Sequence, residues 1–342
     1  VKAVAIDRHG GPEVLDYRDL PDPEMADDEA LVRLQASALN RVDVFVREGW
    51  PGLRLKFPHI LGADGAGVVE AVGKEVQAAA VGERVVIDPS LTCGTCDACR
   101  RGDEVLCMEY EILGEHMDGT YAELVKVPGE NLLPLPDGVP LEPSAAAPTT
   151  FMTAWRLLMT RAAVQPGELV LVLGAGGGVS SAAIQIAKHA GARVIATSST
   201  QEKLNRARQL GADEVINYTE EPFERVAWEL SGKRGVDVVV DSVGQATWKQ
   251  SIRALAKNGR LVTCGATTGP LVETDIRYIF WRQLQILGST MATRVEFREV
   301  MKLIWEGKLE PVIDRTFPLE QAREAQERLE RGDQFGKILL RP

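Results

Sequence analysis

Four cysteines, Cys93, Cys96, Cys99 and Cys107, fall within the fifteen residues CGTCDACRRGDEVLC of a chain that has five cysteines in all. Such a cluster can close disulfides, hold an iron–sulfur cluster or bind a metal. In a reducing cytosol, the compartment expected below, disulfides seldom persist and dense cysteines more often hold a metal. Ferredoxin-type runs place a fourth cysteine three residues after the third and follow it with proline. Here seven residues separate Cys99 from Cys107, and Met108 follows. Four thiolates make a closed tetrahedral zinc site with no position left for water or substrate, so the expected zinc is structural and not catalytic. The fifth cysteine, Cys264 in GRLVTCG, reads as a small buried residue at a strand end.

A second stretch, LVLGAGGGVSSAAIQIAK, places Gly174, Gly176, Gly177 and Gly178 between an apolar strand-like run and a helix-like run, with Val179 at the helix opening. Glycine is needed where a tight turn must bring the backbone close to a pyrophosphate seated at a helix N-terminus. At the first strand–helix junction of an alternating series, this run predicts dinucleotide binding. Ser180 stands where a third glycine often sits and is small enough for helix–strand packing. About 20 residues on, an NAD site offers an acidic side chain to the ribose hydroxyls. This chain offers ATSSTQEK instead, with Ser198 and Lys203, and later Tyr218 in VINYTEE as a flank for the adenosine phosphate. Hydroxyls and an ammonium accept a 2′-phosphate that a carboxylate would repel, so NADP(H) is favoured over NAD(H). The same residues also suit the start of the next helix, where Ser199 and Glu202 have capping-box spacing.

These groups need elements to position them. Residues 1–148 break into short β-like segments such as EALVRLQASAL, GAGVVEAVG, GERVVIDPS and GTYAELVKVP, punctuated by Gly, Pro or Asp. They predict a small β-barrel, with the cysteine segment as a lobe at about residues 90–110. From about residue 165, strand-like runs (ELVLVLG, ARVIATS, DEVINY, VDVVVDSVG, GRLVTCG, LQILGST) alternate with helix-like ones (VSSAAIQIAKHAGA, STQEKLNRARQLG, EPFERVAWELSGK, QATWKQSIRALAKNG). That alternation predicts a doubly wound parallel sheet. The tail, RVEFREVMKLIWEGKL and FGKILLRP, reads as a helix and a last strand that returns to the first domain. The expected fold class is α/β, with domains at 1–148 plus 292–342 and at 149–291 of the 342 residues. A net charge of −10 leaves no basic surplus for a phosphate backbone, so nucleic acid is not an expected partner. No apolar run is long enough to span a bilayer. The opening VKAVAIDRHGG lacks the basic-then-apolar order of a leader and reads as a first strand. The expectation is a cytoplasmic protein that acts on a small molecule.

Together, the cysteine lobe inside an N-terminal β domain and the segments GAGGGVSSAAIQIAK, LGADEVINY, VDVVVDSVG and GSTMATR resemble the medium-chain dehydrogenase/reductase superfamily along the whole chain. The resemblance implies a GroES-like β-barrel catalytic domain, a Rossmann doubly wound parallel sheet, an active-site cleft between them and hydride transfer. It also implies a homodimer or homotetramer, with LQILGSTMAT as an edge strand pairing across a dimer. Zinc alcohol dehydrogenases of this family carry a second, catalytic zinc on a cysteine, a histidine in a G-H-E sequence and a third residue before the cofactor domain. The matching positions here are Asn40 in SALNRVD, Ala63 in GAD with Asp64 for the glutamate, and Thr149 in AAAPTTFMTAW. Asn40, Ala63 and Thr149 are poor zinc ligands. Asparagine at the cysteine position is similar to the quinone oxidoreductase branch, while the cysteine lobe is usual for the alcohol dehydrogenase branch. His59 and His116 match no ligand position and read as loop or packing residues.

The candidate catalytic residues are therefore Asn40, Asp43, Asp64 and Thr149. Asn40 and Thr149 are expected to donate to a developing oxyanion, Asp43 to act through water, and Asp64 to support them. Phe45 and Trp50 in VDVFVREGW suit an apolar wall or the core equally. A catalytic zinc lowers the pKa of bound water from about 15.7 to about 7, which is roughly 12 kcal/mol of assistance. A hydrogen bond to a charged group supplies about 1.5–3 kcal/mol and cannot replace it in alcohol oxidation. An electron-poor acceptor asks for less. The expected reaction is NAD(P)H-dependent reduction of a quinone or enone. The alternatives are a zinc-dependent alcohol dehydrogenase with unusual ligands, or a non-enzymatic NADPH-binding protein of the same fold.

Overall fold

Alternation of apolar residues builds the first half of the molecule around one strand. In Glu29–Ala38, residues Ala30, Val32, Leu34 and Ala36 are all buried, the period of a strand with one face on a core. The computed structural model describes the whole chain, Val1–Pro342. It forms two compact units, Val1–Thr150 with Ala292–Pro342, and Phe151–Met291.

In the first unit the strand Glu29–Ala38 pairs antiparallel with Asp64–Val72, Leu124–Pro128 and Lys337–Arg341 inside a seven-stranded sheet. Register irregularities at Leu31/Val32 and Leu34/Ala36 bend this sheet locally. Ala38 lies opposite both Asp64 and Leu339. The second register, continued by two residues, sets Lys337 opposite Asn40, where the strand gives way to the helix Arg41–Glu48. A separate three-stranded sheet carries Lys2–Ile6, the expected first strand. Ala3, Val4, Ala5 and Ile6 pack there with Leu61 and Tyr121 in one of the unit's buried cores.

The second unit is a six-stranded sheet in which every pairing is parallel. Its order is Glu214–Asn217, Arg193–Ser198, Leu169–Val172, Val236–Val240, Leu255–Thr263, Gln285–Gly288. In chain order that is 3-2-1-4-5-6, the dinucleotide-binding arrangement, with its switch point beside the first strand. Leu169–Val172 is buried at all four positions, as a strand covered on both faces must be. The expected α/β class, with an N-terminal β domain and a doubly wound parallel sheet, is borne out.

Two local expectations are corrected. The helix read through QATWKQSIRALAKNG stops at Ala254, and LAKNGRLVT forms one strand, Leu255–Thr263. Its register against Val236–Val240 shifts between Val236 and Val238, and Asn258 at φ +62° takes up the extra length. The helix Gln201–Gln209 is capped by Thr200, whose side chain accepts from the Lys203 N–H at 3.3 Å, and not by Ser199. No helix is long and apolar enough to cross a membrane.

Candidate functional site

The four clustered cysteines converge in space. A short helix, Asp97–Arg100, and the turn Glu104–Leu106 fold the segment back on itself. All four Sγ atoms lie within 4.8 Å of one another. Individual separations are 3.5 Å for Cys96–Cys99 and Cys93–Cys107, and 3.9 Å for Cys93–Cys99. A tetrahedral zinc with Zn–S near 2.3 Å holds its sulfurs about 3.8 Å apart. The Cys96 N–H donates to Cys93 Sγ and the Glu109 N–H to Cys107 Sγ, both at 3.4 Å. Backbone N–H groups of Thr95 and Cys96 bring the Cys93 thiol down to about 6, while burial and the neighbouring thiols push Cys99 up to about 12. All five cysteines are free, and the donor set fits structural zinc. Cys264 stands apart, its thiol pushed up to about 12 by burial and by Asp241.

The glycine loop has the openness that a phosphate cradle needs. Gly174 sits at φ +65°, and a Cβ there would meet nothing within 4 Å. Gly174 N–H donates to Thr197 Oγ1 at 3.2 Å, which ties the loop to the end of the neighbouring strand. The helix Gly178–His189, with Val179 in its first turn, has Gly177 as N-cap and no side-chain cap. Its first N–H groups therefore lack the side-chain acceptor that most helices supply, as an anion site requires. The Gly176 peptide completes the turn between these glycines. Ser180, at the third-glycine position, donates from Oγ to the Leu173 carbonyl at 2.7 Å and so fastens helix to strand. Ser198 is buried at the end of its strand, and its carbonyl accepts from the Tyr218 N–H at 3.2 Å. That bond brings Ser198 and the exposed Tyr218 together, with Lys203 in the first turn of the following helix. The residues present fit a dinucleotide.

The candidate catalytic residues form a buried polar cluster in the first unit, and a lysine joins them. Asp64 is fully buried. Its Oδ1 accepts from Thr149 N–H at 2.9 Å and Thr149 Oγ1 at 2.6 Å. Its Oδ2 accepts from Asn40 Nδ2 at 2.9 Å and from Lys337 Nζ at 2.9 Å. Lys337 Nζ also donates to Asn40 Oδ1 at 2.5 Å. Asp43 lies behind Asn40, where its Oδ2 accepts from Asn40 N–H at 2.8 Å and Tyr121 OH at 2.9 Å. Burial pushes the Asp43 carboxyl up to about 7, against the opposing pull of the Asn40 N–H, the Tyr121 hydroxyl and Lys337.

This arrangement corrects the expected roles. Asn40 and Thr149 do not present free donors, because their N–H and O–H groups are committed to Asp64. Lys337 was missed. Its signal was a charge inside the apolar run FGKILL, whose Phe335, Ile338, Leu339 and Leu340 are all buried. Ala63 is buried and offers no ligand atom. The cysteine lobe is the one group of three or more His, Cys, Asp or Glu side chains placed to hold an ion, so the Asn40 site does not fit a zinc. His59 is buried, with Nε2 at 3.1 Å from the Gly114 carbonyl, and His116 Nδ1 accepts from the Ile112 N–H at 3.2 Å. Both histidines serve local packing. Phe45 is half-buried and Trp50 exposed, so Trp50 is not a core residue.

A family profile described as "Alcohol dehydrogenase GroES-like domain" matches residues 26–137, and one described as "Zinc-binding dehydrogenase" matches residues 178–306. The acryloyl-coenzyme A reductase of Sulfurisphaera tokodaii is 33% identical over 325 residues, 95% of each chain. The quinone oxidoreductase of Pseudomonas aeruginosa is also 33% identical, over 100% of this chain and 99% of its own. The crystal structure of an NAD-dependent alcohol dehydrogenase superposes with a TM-score of 0.96 at 47% identity, covering 100% of both chains.

Proposed function

The chain belongs to the medium-chain dehydrogenase/reductase superfamily and is an NAD(P)-dependent oxidoreductase, and from that premise we propose that it reduces an electron-poor acceptor, an α,β-unsaturated carbonyl or a quinone. One observation carries this reading. Where a catalytic zinc would need thiolate and imidazole, the chain has Ala63, with Asn40 and Thr149 bonded to the Asp64 of an Asp64–Lys337 ion pair. Bound nicotinamide would supply hydride, and conjugation in the acceptor lowers the demand for a Lewis acid. Acryloyl thioesters and quinones, named for two of the relatives, both belong to this electron-poor class.

The cofactor in this reading is NADP(H). The strand Arg193–Ser198 ends without a carboxylate, and this reading assigns a 2′-phosphate to Ser198, to Tyr218 bonded to its carbonyl and to Lys203 in the first turn of the next helix. In Ser198→Asp, NADPH affinity should fall about 10-fold or more while NADH affinity holds. Tighter binding of NADH than NADPH by the unaltered enzyme would reverse the assignment. The zinc in this reading is structural and held by Cys93, Cys96, Cys99 and Cys107. A homodimer or homotetramer is part of it too. The edge strand Gln285–Gly288 has one neighbour in its sheet, and Ile286, Phe280 and Trp281 are exposed on and beside it.

The test compares kcat/KM for an enone, an enoyl thioester and a benzoquinone with that for a primary alcohol, after chelation mild enough to spare the cysteine site. The acceptors should win. A second reading, a zinc alcohol dehydrogenase with unusual ligands, is favoured by the NAD-dependent alcohol dehydrogenase at 47% identity. It prevails if the alcohol wins.

A further inference from the structure

A cavity of about 730 Å³ opens in the second unit, at the end of its sheet away from the glycine loop. All six strands run the same way, so their starts share one edge and their ends the other. Gly174 follows the end of Leu169–Val172. The cavity instead gathers residues that lead into strands. Lys233 and Arg234 precede Val236–Val240, Lys257 lies near the start of Leu255–Thr263, and Tyr278 and Arg282 sit on the helix before Gln285–Gly288. Dinucleotides bind beyond strand ends, so this edge is not the cofactor's. The chain carries a net charge of −10, yet five cationic side chains and one carboxylate, Asp275, line the cavity. Arg277 pairs with Asp275 and Arg234 with Asp237, each at 2.8 Å. That leaves the charges of Lys233, Lys257 and Arg282.

We propose that this cavity binds a nucleoside diphosphate, with Arg282, Lys233 and Lys257 on the phosphates and Trp228 and Tyr278 against the base. Arg282 is built into the wall. Its Nη1 donates to the carbonyls of Arg253 and Leu255, both at 3.1 Å, and its guanidinium lies 5.1 Å from the centre of the Tyr278 ring. Neutral carbonyls and a ring face fix the direction of the cation without cancelling its charge. Lys233 is set by its backbone, at a left-handed φ of +64° with its N–H on the Trp228 carbonyl at 2.8 Å. Such a conformation is uncommon outside glycine and is found at ligand clamps. A planar guanidinium suits a phosphate in two-point contact, and the lysines add point charges. Trp228, 40% exposed, and Tyr278 supply aromatic faces on which any base can stack. The cavity is within the size range of small-molecule sites. Trp281, exposed at its rim, also lies beside the edge strand assigned above to subunit contact, so oligomeric state enters the test.

The test is calorimetry on the full-length protein with ADP as probe and the cofactor site saturated by NADP⁺, which keeps ADP out of the glycine cradle. One ADP should bind per chain. Trp228→Ala should weaken it about 10-fold through lost stacking. Lys233→Ala/Lys257→Ala should weaken it by about 10-fold at low salt and by less as salt screens the phosphates. NADP⁺ affinity should hold in both variants, and all three side chains are exposed, so neither change disturbs a core. Coenzyme A, which carries the same base and diphosphate, is titrated beside ADP. Tighter binding than ADP, lost in the same variants, makes the coenzyme the source of the ligand, and weaker binding makes it free nucleotide. No binding of ADP once NADP⁺ is saturating overturns the proposal, as does an unchanged affinity in both variants. Pyrophosphate that binds as tightly as ADP removes the nucleoside and overturns it too. Binding seen only when sedimentation shows dissociated monomers overturns it and gives the cavity to subunit contact.

Discussion

The cysteine lobe and the Asn40 cluster lie in the same unit and are built in opposite ways. The lobe draws all four donors from residues 93–107, and short turns bring them together. The cluster draws on residues 40, 64, 149 and 337, which two separate strand pairings and two helix starts must align. The lobe offers four negative ligands to a cation from outside. The cluster supplies its own cation, Lys337, and seals it against Asp64. A metal site can thus be local and legible, whereas a buried polar cluster at the end of a sheet exists only once the sheet has formed.

Breaking the lobe should have the largest effect. Cys96→Ser removes one of four thiolates, and structural zinc sites contribute folding energy directly, on the order of 10–16 kcal/mol of apparent binding in small peptides. Zinc by elemental analysis should fall from one per chain to near zero, and proteolysis should begin within residues 93–107. Retention of stoichiometric zinc would show that the lobe is not the site.

Breaking the cluster should cost less but reach further. Asp64→Ala leaves the Lys337 ammonium, the Asn40 amide and the Thr149 hydroxyl without their shared acceptor. Removal of one partner from a buried ion pair costs about 3–5 kcal/mol. Urea denaturation should show a loss of that size in Asp64→Ala and a smaller one in Lys337→Met/Asp64→Asn, which leaves no unpaired charge. Equal losses in the two would mean that the ion pair is not the organising contact.

The smallest effect sharpens the comparison through pH. Asp43 rises from 3.8 to about 7 on folding, so between those values the folded state holds a proton that the unfolded state has released. The Asp43 contribution is therefore full below about pH 4 and is lost as pH rises through about 7. Relative to Asp43→Asn, the wild type should lose stability across that window, by at most about 4 kcal/mol. A difference that grows with pH would place a charged Asp43 in the folded protein at neutral pH.

How much of this was legible follows from sequence distance. The parallel sheet showed in its continuous apolar strands, the glycine loop in one run at Gly174–Gly178, and the lobe in its cysteine spacing. Asn40, Asp64 and Thr149 could be picked out only through the family resemblance, and their mutual bonds could not be read at all. Lys337 lies 297 positions from Asn40, and nothing local to FGKILL says which acceptors will meet it. The helix Arg41–Glu48 was also missed, because VDVFVRE has a strand-like density of β-branched residues. Asn40 and Asp43 nonetheless start it, with the Asp43 carboxylate on the Asn40 N–H. The bulge at Asn258 hid for the opposite reason: its NG pair reads as a helix stop, and the strand runs straight through it.

The central claim is that the lobe holds the only zinc and the cluster works without one. The direct measurement is enone reduction by NADPH followed together with zinc content as a chelator is titrated. Turnover should be full at one zinc per chain and unchanged by removal of any zinc beyond that one. A second zinc per chain, with turnover falling in proportion as it is withdrawn, would contradict it.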